Sequence, residues 1–388
     1  MLDETLLDDG DLLAAADRDG ALRVLATAGA QVRAALAAEH DLARVAADGR
    51  PRSVLVAGLG GSAVVGEVVA ALAGEHSSVP VQRRRGGPLP GWVGPLDLVV
   101  AVSMSGRAPE PLRIAAEAGR RGARLVSVCR DGSPLAEVTR RTRGTLLAVP
   151  REPVPGAPPP GSRTGLWSLL APVLLACAAA DVLEVDTGEL DAAARRLDEE
   201  AEACRPSSEA FVNPAKTLAL ELDGTVPVVL SDGDAAAGAA ARAVSMLAVT
   251  ARVPAVRGTL PDDAGDVVAL FDGAFRPAAD DVFADPFEDG PARPTLRLLL
   301  LADRRSEHRA AADRAGPVLE VAQHAGVRVS ELAAEPGRPV ERLAQLVART
   351  DFAATYLALG SGLDPTRSPH LADLREVWAE RGSGEAPR

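Results

Sequence analysis

Four short runs in the first 150 residues are apolar at nearly every position: RSVLVAGL (52–59), LDLVVAVS (96–103), ARLVSVC (123–129) and GTLLAV (144–149). A strand with one face in water alternates apolar and polar residues. A strand that is apolar throughout must be covered on both faces. VPVQRR (79–84) supplies one more strand, and segments of helical periodicity lie between, to about Gly74 and over 108–121. Strand and helix in alternation predict a parallel sheet with helices on both sides. The pattern restarts at VPVVLSD (226–232), followed by a helix over 234–251, a strand TLRLLLLAD (295–303), a helix over 306–325 and a strand VRVSEL (327–332). Helices over 339–361 and 369–381 close the chain. Two α/β modules follow, 1–184 and 185–388, the first preceded by one or two lead-in helices within 11–48. Between the two series, REPVPGAPPPGSR (151–163) holds five prolines and reads as an extended connector. An apolar helix over 164–182 and an acidic helix over 187–204 come next, and the Asp-, Pro- and Gly-rich stretch 272–294 reads as a surface insertion.

The length of 388 residues suits two domains with a core each. Lys plus Arg total 42 and Asp plus Glu 54, a net charge of −12 that disfavours nucleic acid and anionic membrane as partners. A small anion remains compatible, because a local site can oppose the global sign. Cys129, Cys177 and Cys204 show no CxxC spacing, which argues against a disulfide framework or structural zinc and for buried thiols in a reducing cytoplasm. No metal site is expected. The acidic N-terminus lacks a basic leader region, and the longest apolar runs, such as 166–181, are short for a bilayer. A cytoplasmic protein is the expectation. The single lysine, Lys216, among many arginines reads as genome composition.

Gly58-Leu59-Gly60-Gly61-Ser62-Ala63 follows the first strand and opens a helix. It satisfies GxGxxG/A, the dinucleotide pattern. That site wants an acidic residue for the ribose at the end of the second strand, and Gln82-Arg83-Arg84-Arg85 stands there instead. The arginines suit a 2′-phosphate, so an NADP-dependent oxidoreductase stays open. The other reading places an anion or sugar hydroxyls against the amides of Gly60, Gly61 and Ser62. A tight packing turn is the plainest alternative.

The third strand runs into Ser103-Met104-Ser105-Gly106-Arg107, then a helix with Pro109 in its first turn. Two hydroxyls, free helix N–H groups and the Arg107 guanidinium together make a phosphate cradle. Both turns lie at strand carboxyl ends, where open α/β sheets bind ligands.

With GLGGSAVVGEVV (58–69), LVVAVSMSG (98–106), PGSRTGL (160–166), NPAK (213–216) and YLALGSGLDPT (356–366) in this order, the chain resembles the SIS (sugar isomerase) family, and within it the bifunctional phosphoglucose/phosphomannose isomerases. The resemblance implies an α/β fold of two SIS-type, flavodoxin-like modules, each a parallel sheet flanked by helices. It implies a homodimer without metal or cofactor, and interconversion of glucose 6-phosphate or mannose 6-phosphate with fructose 6-phosphate through a cis-enediol. Carried over, the phosphate-binding serines fall on Ser103 and Ser105, the Gly-Ser turn on Gly61 and Ser62, and an enediolate-stabilising arginine on Arg163. The family's phosphate loop continues with Asn and Thr, where Arg107 and Ala108 stand here. Its catalytic Glu follows Asn-His-Asn; the register over Leu260–Val268 puts Asp266 there, one methylene shorter. Arg375 occupies the place of the family's lysine after DPT, and His308 is the candidate for the ring-opening histidine. These departures keep a second function open: a phosphosugar-binding sensor or regulator without turnover. The apolar breadth of helix 339–361 suggests burial beyond its own module, which also favours a homodimer.

Overall fold

The computed structural model describes residues 2–74, 76–276, 293–303 and 314–384. The lead-in is five short helices rather than one or two: α1 (Glu4–Asp8), α2 (Gly10–Ala16), α3 (Ala21–Leu25), α4 (Ala28–Ala37) and α5 (Leu42–Ala47). Asp3, Asp9 and Asp41 cap α1, α2 and α5 with their side chains, so each break is chemically marked. The first module runs β1 (Val54–Gly58), α6 (Ala63–Ala73), β2 (Val81–Arg84), β3 (Leu98–Ser103), α7 (Pro109–Arg120), β4 (Arg124–Cys129), α8 (Pro134–Arg141) and β5 (Thr145–Ala148). Residues 151–165 take neither helix nor strand, in keeping with their prolines. Then come α9 (Leu166–Ala179), α10 (Thr187–Ala203) and α11 (Pro214–Leu222). The second module runs β6 (Thr225–Asp232), α12 (Asp234–Met246, extended by a π-helical turn to Ala251), β7 (Val256–Thr259), α13 (Ala264–Ala269), β8 (Thr295–Ala302), α14 (Gly316–His324) and β9 (Arg328–Ala333). The chain closes with α15 (Pro339–Gly360) and α16 (Pro369–Gly384). The insertion expected over 272–294 and the first part of the helix expected over 306–325 lie largely outside the described residues.

Both sheets are parallel, ordered β2-β1-β3-β4-β5 and β7-β6-β8-β9. The continuous apolar strands divide by alternation. Val54, Val56, Val100 and Val102 face inward to a shared core, while Leu55, Ala57, Val99 and Ala101 face an outer core under α7 and α8. In the second sheet Val229, Leu299 and Leu301 face the shared core, and Val228, Leu230, Leu298 and Leu300 face an outer core with α13 and α14. Each sheet is thus buried on both sides, which the unbroken apolar runs required.

The shared core holds the answer to the breadth of α15. The helix is buried along almost its whole length, packed by α10, α11 and α12 of the same chain. Its apolar faces are satisfied intramolecularly and no longer argue for a dimer. Lys216, the sole lysine, is fully buried. Its Nζ donates to the carbonyls of Leu7, Pro206 (2.8 Å) and Ser208 (2.6 Å) and stands 5.5 Å from the Tyr356 ring centroid. A buried ammonium is tolerated only with such partners. Lys216 is therefore a structural staple between the N-terminal helix, the 205–210 loop and α15, not a matter of composition. The three cysteines are buried as expected, and burial pushes the Cys177 thiol up to about 12, which makes it inert.

α6 and α12 pack antiparallel. Gly74 at the end of α6 meets Asp234 at the start of α12, and Val68 meets Gly238. At the other end the Arg242 guanidinium donates to the carbonyl of Arg163, beside the start of α6. The carboxyl edges of the two sheets therefore point to opposite ends of the molecule. No described helix is long and apolar enough to cross a membrane.

Candidate functional site

In a 2-1-3-4-5 sheet the strand order reverses between β1 and β3, and ligands bind beyond the carboxyl ends there. The two Gly/Ser turns meet at this point. The Met104 N–H donates to Ser62 Oγ at 3.4 Å, and the Gly106 N–H donates to Ser103 Oγ at 3.1 Å. Ser62 and Ser103 are both buried, so their hydroxyls shape the two turns in this state. Gly60 has φ +59° and is exposed. Gly61 is pressed by the connector: a Cβ there would stand 2.1 Å from the Ser162 carbonyl oxygen. Met104 is buried beneath Gly165. The switch point itself is thus closed over by residues 160–165.

An open cleft of about 710 Å³ lies one step along the same edge, at the ends of β3, β4 and β5. Ser105 and Arg107 line it from the 103–107 loop, and Arg130 and Arg151 line it from just past β4 and β5. Ser133, which caps α8, sits at its base. Across from them stand Glu39 and His40, between α4 and α5. Arg107 and Arg151 have no ion-pair partner among the described residues. Arg130 donates to the Pro160 carbonyl at 3.2 Å, but its Nε is buried without a partner. Asp131 is neutralised by Arg140 at 2.5 Å, which leaves Glu39, among the described residues, as the free carboxylate against three guanidiniums. In a chain of net charge −12 this is a local positive site. Burial holds the His40 imidazole below its usual 6.5, against a hydrogen bond to the Ala35 backbone, and His40 Nε2 is buried and unpartnered. A separate, mostly apolar groove of about 580 Å³ runs between α2 and α10, away from every strand end.

Arg163 lies in the connector, next to Ser162, whose carbonyl presses on Gly61. Its guanidinium donates to the Pro365 carbonyl, and Arg252 donates to the Asp364 carbonyl at 2.9 Å. The DPT turn at 364–366 is thus held against the same end of the molecule, with Thr366 Oγ1 donating to Asp19 at 2.7 Å. Arg163 is placed through its own carbonyl by Arg242, which pairs with buried Asp351 at 2.8 Å.

Asp266 is not brought to this edge within one chain. It is exposed on α13, and its neighbour Val267 packs into the outer core of the second sheet. The 11-residue α6, roughly 16 Å long, separates the two carboxyl edges. His308 lies outside the described residues, and Arg375 stands on α16 with its side chain outside them. Of the six proposed phosphate positions, Ser105 and Arg107 therefore line the open cleft, and Gly60, Gly61, Ser62 and Ser103 build the turns behind it. Sequence reasoning missed His40, Arg130 and Arg151. The last two had a signal, since each closely follows the end of an apolar strand; His40 had none.

The dinucleotide reading finds its arginines occupied. Arg83 and Arg85 pair with buried Glu67, both at 3.0 Å, and the Ser162 carbonyl covers Gly61 where a pyrophosphate would approach. Among the described residues no group of three metal-ligating side chains occurs.

Residues 211–377 match the family model described as the bacterial phospho-glucose isomerase C-terminal SIS domain. A bifunctional phosphoglucose/phosphomannose isomerase of Caldicellulosiruptor bescii is 26% identical over 176 residues, 45% of this chain and 50% of that protein. The match spans about half the length of this curated relative. A hypothetical protein of Thermus thermophilus shares the fold with TM-score 0.63 at 18% identity, over 98% of this chain and 99% of its own. A glucose-6-phosphate isomerase like protein of the same organism has TM-score 0.55 at 18% identity, over 94% and 99%.

Proposed function

We propose, from the premise that this chain is a SIS-domain protein resembling the bifunctional phosphoglucose/phosphomannose isomerases, that it binds a sugar phosphate in the cleft at the carboxyl end of its first sheet. The observation that carries this is the exposure of Ser105 and Arg107, from the phosphate-type loop, into a basic cleft of about 710 Å³. Arg107 supplies a charge-assisted, bidentate donor to the phosphate, and Ser105 a hydroxyl. Isothermal titration with fructose 6-phosphate tests it. Micromolar-range binding that Arg107→Ala weakens tenfold or more is the expected result; no binding of any hexose phosphate would remove the reading.

The finer reading is aldose–ketose isomerisation. A base takes the C2 proton of glucose 6-phosphate or mannose 6-phosphate, a cis-enediolate forms, and the proton returns to C1 to give fructose 6-phosphate. Arg163 would stabilise the enediolate charge and Asp266 would be the base. A base must reach its proton directly or through one water. Asp266 stands at the other end of its own chain, so this reading needs a homodimer in which a second copy delivers Asp266 to the cleft. The same placement favours the alternative of a phosphosugar sensor, which needs no base. A coupled assay with size measured by light scattering separates them. An isomerase gives turnover that survives EDTA, is lost in Asp266→Asn, and belongs to the dimer. A monomer that binds fructose 6-phosphate and interconverts nothing is the sensor.

A further inference from the structure

The run Gln82-Arg83-Arg84-Arg85 takes no part in the cleft. It ends β2, the edge strand of the first sheet. In an extended chain residues i and i+2 face one way and the residue between them the other. Arg84 turns aside accordingly, and its Nη2 donates to the Pro88 carbonyl at 3.2 Å. Arg83 and Arg85 turn together onto Glu67 of α6. Arg83 Nε stands 3.0 Å from Glu67 Oε2, and Arg85 Nη2 stands 3.0 Å from Oε1. A third guanidinium comes from the other module. Arg257, on the edge strand β7 of the second sheet, brings its Nη1 to 3.5 Å from Glu67 Oε2. One carboxylate thus fixes where all three cations lie.

Glu67 is buried, and its single charge neutralises only one of the three. Among the described residues no other carboxylate pairs with Arg83, Arg85 or Arg257. Each guanidinium carries five N–H donors, most of which the two oxygens of Glu67 cannot take. The three side chains stay open to solvent, 53%, 68% and 35% exposed. Like charges gathered this closely repel one another, and in a chain of net charge −12 they concentrate positive charge locally. An anion on their outer side relieves that repulsion and accepts the donors that Glu67 leaves over.

We propose that Arg83, Arg85 and Arg257 form a second anion site, at the junction of the two modules, for a phosphate-type dianion, either the free ion or the phosphoryl group of an ester. Glu67 positions the three side chains, and their outward N–H groups hold the anion. Its donors come from both modules, so the bound anion fastens the edge of one sheet to the edge of the other. The site shares no residue with the cleft and does not rest on the cleft's reading.

Isothermal titration of the full-length protein with inorganic phosphate, at low ionic strength because exposed charges are screened by salt, tests this. Arg107→Ala serves as the background, so that the cleft contributes least. The expected result is a phosphate-binding event that persists in Arg107→Ala and weakens about tenfold or more when either Arg85→Ala or Arg257→Ala is added. Both changes leave Glu67 two guanidiniums, and melting curves check that the fold is kept. Arg113→Ala removes an equal charge from an exposed arginine paired with Glu110, and should change phosphate affinity less than twofold. Fructose 6-phosphate in the same background separates an ester from the free ion as the source: binding of either supports the site, and binding of neither overturns it. Phosphate affinity within twofold in Arg85→Ala and Arg257→Ala also overturns it, as does equal weakening by Arg113→Ala, which would make the effect one of overall charge.

Discussion

The two sheets have the same strand logic and opposite fates at their carboxyl edges. In the first, β1 and β3 end in Gly-, Ser- and Arg-bearing turns beside an open basic cleft. In the second, the corresponding strands β6 and β8 end in Asp232 and beside Asp303. Asp303 Oδ2 accepts from the Ala235 N–H at 3.1 Å, at the start of α12, and its other oxygen takes the buried Arg342. Gly233, with φ +105°, lets the backbone pass within contact of the Asp303 side chain. The helix N-terminus that could attract an anion is thus satisfied by a carboxylate of the chain itself. One topology leaves an open basic cleft beside one edge and a sealed structural joint at the other. Neither switch point is itself open: residues 160–165 cover the first and Asp303 fills the second, and the open cleft lies one step along the first edge.

The sharpest way to break this contrast is Asp303→Ala. It leaves Arg342, 8% exposed, without its carboxylate and removes the acceptor at α12. A loss of about 3–5 kcal/mol is expected in denaturant unfolding, with no gain in phosphate affinity needed for the comparison to hold. A loss under about 1 kcal/mol would mean that the second edge is not a joint. Gly61→Ala comes next. Its methyl would meet the Ser162 carbonyl oxygen at 2.1 Å, so the connector must shift, at about 1–3 kcal/mol. Thermal melting reads it, and an unchanged melting temperature would show that residues 160–165 do not press on the turn. Arg107→Ala should do the reverse. Stability stays within about 0.5 kcal/mol, because the side chain is exposed, while sugar-phosphate affinity falls about tenfold.

The smallest effect concerns pH. Burial lowers the His40 value below the usual 6.5, so the unfolded chain takes up this proton first as pH falls. The contribution of neutral His40 is therefore complete above pH 6.5 and declines as pH drops below it. His40→Gln should flatten the stability profile between about pH 7.5 and 5.5 by less than about 1 kcal/mol. An unaltered profile would place the acid sensitivity elsewhere.

Much of the architecture was legible because it is written in local pattern. The largely apolar runs at 52–59, 96–103 and 295–303 became strands buried on both faces, and the five prolines of 151–163 kept that stretch irregular. The short elements α8, α11, β7 and α13 were missed, since four to nine residues give too little periodicity to read. The two turns of the site were also legible from Gly and Ser after strands.

Which of their groups meets solvent was not. Ser103 and Ser105 are equivalent in the motif and each accepts a backbone N–H of the loop, from Gly106 at 3.1 Å and from Arg107 at 3.3 Å, yet Ser103 is buried while Ser105 is exposed and lines the cleft. Lys216 looked like a compositional remnant and is a buried three-carbonyl staple; α15 looked like an interface and is filled by its own chain. Asp266 matched by register and stands at the far end of the molecule, since the antiparallel packing of α6 on α12 turns the second sheet's edge away from the first. Sequence determined the strands, the turns and the chemistry available at each, because those depend on neighbours a few residues away. The tertiary structure alone decided which groups face one another, because burial and charge pairing are set by contacts between residues far apart in the chain.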